Sequence, residues 1–337
     1  MKVALFCQGN REIGLGHVAR CLRVANVLRD SSASCEFVLG DHDVSRRMVD
    51  AHAFPFRVFK RLDEVPGLAA DTGADVILSD CNEFGREQMK ALAEVLQVVN
   101  IAVQGDSKWY APVSYLHSPF MDTPKPSDAS GVIHCGPEYV PLAHEFLEAR
   151  ERYTFRNSPQ KLLVAMGGGD AMGYTLAVVE WLHGLSDLSL TPVFVLGAAY
   201  GDADLLRAKL KALPQPHEVV VAPEGLAATM EECDLALLAM GTTAYEACCM
   251  GLAGVNICPT PFHAGLAAVY QERGMLVSVG RFDETVGERA TAELRRLATD
   301  SVARRKMSDR AREQVDGRGL VRVVDALEAH ARAPHGE

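Results

Sequence analysis

Hydrophobic positions along this chain fall in short apolar runs that alternate with stretches of helical spacing. Val3-Ala4-Leu5-Phe6-Cys7 has the length and character of a buried strand. After it, Val18, Cys21, Leu22, Ala25 and Leu28 recur three and four residues apart, with Arg20, Arg23 and Arg29 on the remaining surface. The alternation continues through Phe37-Val38-Leu39, Phe56-Arg57-Val58-Phe59, Val76-Ile77-Leu78 and Val98-Val99-Asn100-Ile101-Ala102-Val103, with helices predicted around 45–53 and 86–96. Such a series predicts a parallel sheet covered by helices on both faces.

The stretch 109–138 breaks the pattern. Pro112, Pro119, Pro124, Pro126 and Pro137 predict irregular structure there. A charged stretch over 145–156 follows, with Glu148, Arg150, Glu151, Arg152 and Arg156, and reads as a solvated helix or linker. This predicts a first domain over 1–150, a second over 157–318, and a C-terminal helix and tail over 319–337. The second domain repeats the alternation: Leu162-Leu163-Val164-Ala165-Met166, Pro192-Val193-Phe194-Val195-Leu196, Val219-Val220-Val221, Leu235-Ala236-Leu237-Leu238 and Gly254-Val255-Asn256-Ile257-Cys258 are its strands. Helices are predicted over 174–182 and 224–232, from the loop ending at His263 to Arg273, and over 284–298, 302–315 and 320–331. Arg295, Arg296, Arg304, Arg305 and Lys306 read as a solvated face.

Composition narrows the class. The 337 residues are 48 % hydrophobic and 23 % charged, ordinary values for a folded chain of about two domains. A net charge of −10 argues against nucleic acid as the main partner, since that affinity is built from clustered Lys and Arg. The nine cysteines are odd in number and form no Cys-x-x-Cys pair, so they read as free thiols of a cytoplasmic protein. Gln8, Asn10, Arg11 and Glu12 interrupt the first apolar run too early for a signal peptide, and no run is long enough to span a bilayer.

The candidate chemistry lies at strand-to-helix turns. Gly14-Leu15-Gly16-His17-Val18-Ala19-Arg20 links the first strand to the first helix. In a parallel sheet that junction sits at the carboxyl edge, where ligands bind and free helix N–H groups point outward. His17 stands there as a catalytic candidate, although a lone histidine also fits a capping or surface role. Asp80 and Asp106 each follow a strand and so share the edge with His17; each alone also fits a cap or turn. In the second half, Gly241, Thr242 and Thr243 offer donors for a diphosphate, and Glu246 offers a carboxylate for ribose hydroxyls. The same residues fit a capping box of Thr243 with Glu246. Gly167-Gly168-Gly169-Asp170 forms a similar turn, and His263 stands at another loop-to-helix junction.

Together, Gly14-x-Gly16-His17-x-x-Arg20, Gly136-Pro137-x-Tyr139, Gly167-Gly168-Gly169-Asp170 and Gly241-Thr242-Thr243-x-x-Glu246 resemble the UDP-sugar hydrolase of the pseudaminic acid pathway and the related spore-coat polysaccharide proteins. More distantly they are similar to the lipid II glucosaminyltransferase. The resemblance implies a GT-B architecture, two Rossmann-like α/β domains with parallel sheets facing a central cleft. It implies His17 as the catalytic residue in attack of water on the anomeric carbon of a UDP-linked 2,4-diacetamido-2,4,6-trideoxy-hexose. UDP and free sugar leave with inversion, in nonulosonic acid or surface polysaccharide biosynthesis, without metal or cofactor. Substrate contacts are then expected from Gly14, Gly16, Arg20, Asp80, Gly167, Gly168, Gly241, Thr242, Thr243, Glu246 and His263. The alternative is an inverting GT-B glycosyltransferase, with 109–138 supplying an acceptor groove; a non-catalytic nucleotide-sugar binder is a third reading. The chain departs from the family at Met240, where a glycine is common, and at Phe262-His263-Ala264-Gly265-Leu266-Ala267, where relatives carry Asn-Gln and Asn-Ala.

Overall fold

The computed structural model describes residues 1–10, 13–170, 172–197, 200–221 and 225–332. The chain divides into two units, Met1–Ala143 with Gly317–Glu337, and His144–Asp316.

In the first unit the elements run β1 (Lys2–Cys7), α1 (Gly16–Asp30), β2 (Ser34–Gly40), α2 (Asp43–Ala51), β3 (Phe56–Phe59), α3 (Val65–Ala70), β4 (Val76–Asp80), α4 (Arg86–Val95), β5 (Gln97–Asn100), α5 (Ser107–Tyr110), β6 (Val113–Leu116) and β7 (Val132–Cys135). All seven strands form one parallel sheet in the order β3-β2-β1-β4-β5-β6-β7. Val3 to Cys7 are fully buried because both faces of β1 are covered. Val3, Leu5 and Cys7 pack with Val18, Cys21, Leu22, Ala25 and Leu28 of α1. Ala4 and Phe6, on the opposite face, join Val65, Phe84, Met89 and Leu92. Strand alternation therefore places α1 on one side and α3 with α4 on the other.

The second unit runs α6 (His144–Arg152), β8 (Lys161–Ala165), α7 (Tyr174–Leu182), β9 (Thr191–Leu196), α8 (Ala203–Leu210), β10 (Glu218–Val221), α9 (Leu226–Glu231), β11 (Leu235–Ala239), α10 (Thr242–Met250), β12 (Gly254–Cys258), α11 (Pro261–Glu272), β13 (Val277–Arg281), α12 (Val286–Thr299) and α13 (Ser301–Gln314). Its sheet is again parallel, in the order β10-β9-β8-β11-β12-β13. The last helix, α14 (Gly319–Ala331), belongs to the first unit: Leu320, Val323 and Leu327 are buried with the α1 side of its core. Each such side chain contributes about 1.5–3 kcal/mol by burial.

Four sequence expectations are corrected or narrowed. The stretch 109–138 is not irregular throughout, since it contributes β6 and β7. Its prolines border the strands rather than interrupt them: Pro112 precedes β6, and its carbonyl accepts from Val132 N–H at 3.1 Å. Of the two readings of 145–156, solvated helix or linker, the helix holds, but it is buried along one face. The stretch is largely α6, with Phe146 and Ala149 buried and the Arg150 guanidinium donating to the carbonyls of Cys249, Arg312 and Val315. Arg304 is not solvated. It is fully buried, its Nη1 donating to Leu297 O and its Nη2 to Arg156 O and Asn157 O at 2.6–2.8 Å. Arg20, expected either on the helix surface or as a ligand contact, is not a surface charge but buried, for a reason that lies in the site below. Glu224 of the expected 224–232 helix, and Arg11 and Glu12 of the first loop, lie outside the described residues.

All nine cysteines are free; eight are buried, and Cys135 is exposed on the edge strand β7. Among the described residues no helix is long and apolar enough to cross a membrane.

Candidate active site

β1 lies between β2 and β4, so successive connections depart to opposite sides there, the topology that opens a crevice at the carboxyl edge. Cys7, the last residue of β1, pairs in register with Asp80, the last residue of β4. The loop out of β1 therefore begins beside Asp80. Asn10 bridges to Gly14, and its side-chain oxygen accepts from Ile13 N–H at 2.8 Å. Gly14 turns the chain at φ +82°, a conformation that favours glycine. The helix then starts at Gly16 without a side-chain cap, which puts His17 in its first turn.

His17 and Arg20 are three residues apart on α1 and share one face. Both reach Asp80. His17 Nδ1 lies 2.7 Å from Asp80 Oδ1; Arg20 Nη2 donates to the same oxygen at 2.9 Å and Arg20 Nε to Oδ2 at 2.8 Å. Asp80 is fully buried, Arg20 is 7 % exposed and His17 9 %. Burial alone pushes the Asp80 carboxyl up, but the Arg20 charge and the His17 contacts outweigh it and hold the group well below the usual carboxylate range. Arg20 Nη2 also lies 2.9 Å from His17 Nδ1, but it donates to Asp80 Oδ1. An ionised carboxylate only accepts, so in the neutral imidazole the proton that meets Asp80 is on Nδ1 and Nε2 keeps its lone pair. That is the geometry of an oriented general base. Asp80 stands behind the imidazole, and Arg20 is its fork-shaped counter-ion rather than a surface charge.

Nε2 has a neighbour that sequence reasoning did not select. Asn82 Nδ2 lies 3.2 Å away, while Asn82 Oδ1 accepts from Gln104 N–H at 3.2 Å. Its only sequence signal was a polar residue two positions past a strand end. Of the two aspartates expected to share the edge with His17, Asp80 reaches it, while Asp106 is exposed at the start of α5.

The second unit repeats the topology around β8, which lies between β9 and β11. Ala165 of β8 pairs with Leu238 of β11, so the turns holding Gly167-Gly168 and Gly241 leave from one edge. Gly167 and Gly168 are exposed, and a Cβ on Gly197 would lie 2.1 Å from Gly168 O, so the turns after β8 and β9 touch through backbone. Asp170 accepts from Tyr174 N–H at 2.9 Å and Thr175 N–H at 2.7 Å, so its carboxylate satisfies the first N–H groups of α7 from three residues before the cap position at Gly173. α10 starts at Thr242 with Gly241 at its cap position and no side-chain cap bond. Thr243 is thus inside the first turn, and the capping box with Glu246 does not form. Glu246 is buried one turn further on. Met240 is also buried, its N–H donating to Ile257 O at 2.7 Å, so its side chain packs inside. His263 serves the cap of α11: its N–H donates to Thr260 Oγ1 at 3.4 Å and its Nδ1 lies 2.7 Å from that hydroxyl. Burial pushes its imidazole below the ordinary value.

Two Rossmann-like units, each with candidate residues at the switch point of a parallel sheet, define the GT-B fold. Solved structures share it. Acinetobacter baumannii MurG superimposes with a TM-score of 0.69 at 16 % identity, covering 97 % of this chain and 99 % of that one. The spinosyn rhamnosyltransferase SpnG complexed with thymidine diphosphate gives 0.58 at 15 % identity, covering 96 % and 100 %. In sequence, the chain is 24 % identical to the spore coat polysaccharide biosynthesis protein SpsG of Bacillus subtilis (strain 168), across 97 % of this chain and 98 % of that protein. No family model matches it.

Proposed function

We propose that the protein is an inverting glycosyltransferase of polysaccharide biosynthesis that passes the sugar of a nucleotide-sugar donor to an acceptor hydroxyl. The observation that carries this reading is His17, oriented by buried Asp80 so that Nε2 is the basic nitrogen. Nε2 takes the hydroxyl proton as the acceptor oxygen bonds to the anomeric carbon. The bond from that carbon to the diphosphate breaks, and the nucleoside diphosphate leaves with the electron pair. Attack opposite the leaving group inverts the anomeric centre.

Gly14 and Gly16 act through backbone shape and let a ligand approach His17. In the second unit the first turn of α10, at Gly241, Thr242 and Thr243, suits the diphosphate through its N–H groups and helix dipole, and the exposed Gly167-Gly168 turn extends that edge. Glu246 is the ribose candidate. Thymidine diphosphate bound to SpnG and the polysaccharide role in the name of SpsG support this donor class and this setting.

The second reading keeps the same base and replaces the acceptor by water, giving a hydrolase of UDP-linked 2,4-diacetamido-2,4,6-trideoxy-hexoses. The Gly14-x-Gly16-His17-x-x-Arg20 motif favours it. Incubation with UDP- and TDP-sugars, with and without oligosaccharide acceptors, separates the two. Nucleoside diphosphate released only when acceptor is added supports the transferase, and release without acceptor supports the hydrolase. No release under either condition sinks both.

A further inference from the structure

The atom on which the proposed chemistry depends, His17 Nε2, already has a partner in the structure. We propose that Asn82 is the positioning residue for His17: its amide occupies the Nε2 lone pair while the site is empty, then yields it to the incoming hydroxyl and donates to that hydroxyl's oxygen. The second half of this inference rests on His17 being the base; the assignment of the imidazole proton does not.

The amide orientation follows from a backbone donor. Gln104 N–H can only donate, so the atom of Asn82 that meets it at 3.2 Å is the oxygen. The NH2 group then faces His17 Nε2 at 3.2 Å. An amide NH2 accepts nothing, so Nε2 is bare and the proton lies on Nδ1, directed at Asp80. The carboxylate at Nδ1 and the donor at Nε2 specify the same tautomer, and the third neighbour, Arg20 Nη2 at 2.9 Å from Nδ1, donates to Asp80 Oδ1 instead. The amide carries a second proton. A hydroxyl hydrogen-bonded to Nε2 at about 2.8 Å lies within reach of that proton, which orients the oxygen.

The amide is held by a fixed frame. Gly105, at φ +77°, would place a Cβ 2.3 Å from Asn82 O, so the turns after β4 and β5 are in backbone contact. Gly105 N–H donates to Asp122 Oδ2 at 2.9 Å, and the fully buried Lys108 donates to Asp122 Oδ1 at 2.6 Å. Trp109 Nε1 donates to Thr123 Oγ1 at 2.9 Å beside it. Among the described residues, the charged groups in contact with His17 are Asp80 on β4 and Arg20 on α1. Glu83, next to Asn82, is turned toward Gln8 Nε2 at 2.6 Å and Cys81 Sγ at 3.5 Å.

Asn82→Asp tests this with little change of shape, because the aspartate still accepts from Gln104 N–H while the donor facing Nε2 becomes an acceptor. His17 then lies between two carboxylates, which favours the imidazolium. The readout is nitrogen-15 NMR of histidine-labelled, ligand-free protein, which needs no substrate. Wild type is expected to carry its neutral-form proton on Nδ1. In Asn82→Asp the His17 titration midpoint rises by about 1 pH unit or more, and the acid limb of the kcat/KM profile moves with it. A wild-type proton on Nε2, or an unmoved midpoint in Asn82→Asp, overturns the assignment. The wild-type measurement decides even if the variant does not fold. His17→Asn with undiminished turnover would instead sink the functional reading and leave the tautomer assignment standing.

Discussion

Replacing Asp80 by asparagine keeps the shape of the side chain and removes one acceptor. In the wild type Oδ1 receives His17 Nδ1 at 2.7 Å and Arg20 Nη2 at 2.9 Å, and Oδ2 receives Arg20 Nε at 2.8 Å. An amide NH2 facing Arg20 sets two donors against each other in a buried contact. Facing His17, it forces the proton onto Nε2, where the Asn82 NH2 already points. Breaking a buried ion pair by removing one partner costs about 3–5 kcal/mol, and the remaining carbonyl of asparagine keeps the loss toward the lower end. A catalytic histidine held in the wrong tautomer loses about 10⁴-fold in kcat in the serine-protease precedent, and a fall of about 10³–10⁴ is expected here. Urea unfolding gives the first quantity and release of nucleoside diphosphate the second. The pH dependence supplies a sign. The folded Asp80 carboxyl is held below its unfolded value of about 3.9, so the unfolded chain binds the proton more readily. Its stabilising contribution is whole above that value and is lost as the pH falls through the folded one. The gap in unfolding free energy between wild type and Asp80→Asn should therefore narrow on acidification below about pH 4. A gap independent of pH, or wild-type turnover in the variant, refutes the reasoning.

Asp122→Asn leaves the fully buried Lys108 ammonium with a neutral partner and the Gly105 carbonyl. The expected cost is about 3 kcal/mol by urea unfolding, reduced because Asp122 is partly exposed, together with faster amide exchange at Gln104 and Gly105. Unchanged exchange there contradicts the frame described for Asn82. Leu327→Ala removes a fully buried side chain of α14 from the first-unit core, at an expected cost of about 2–5 kcal/mol. Exchange protection should fall in β1 and α1; stability within error of wild type contradicts the placement of α14.

The strand–turn–helix series was legible because strands buried on both faces are continuous apolar runs. β1 and β4 stand out for that reason, and α7 occupies the expected 174–182 because its apolar spacing is unbroken. His17 was legible from its glycine turn, and Asp80, sixty-three residues later, from its position at a strand end. The burial of Arg20 was not legible, because a charge in a helix pattern reads as surface or as ligand contact until its buried counter-ion is known. Asn82 was missed because its orientation depends on the N–H of Gln104, which no side-chain pattern encodes. Arg304 was misread for a related reason, since its partners are backbone carbonyls. β6 and β7 were hidden because prolines at strand borders and prolines in irregular loops look alike in sequence. The helix over 320–331 was legible from its spacing, but the unit that buries α14 was not.

His17→Asn is the most direct test of the central claim. The variant is to be assayed for nucleoside diphosphate release from a donor that wild type turns over, and for nucleoside diphosphate binding by calorimetry. The expected result is loss of turnover with binding retained. Turnover at the wild-type rate would contradict the assignment of His17 as the base.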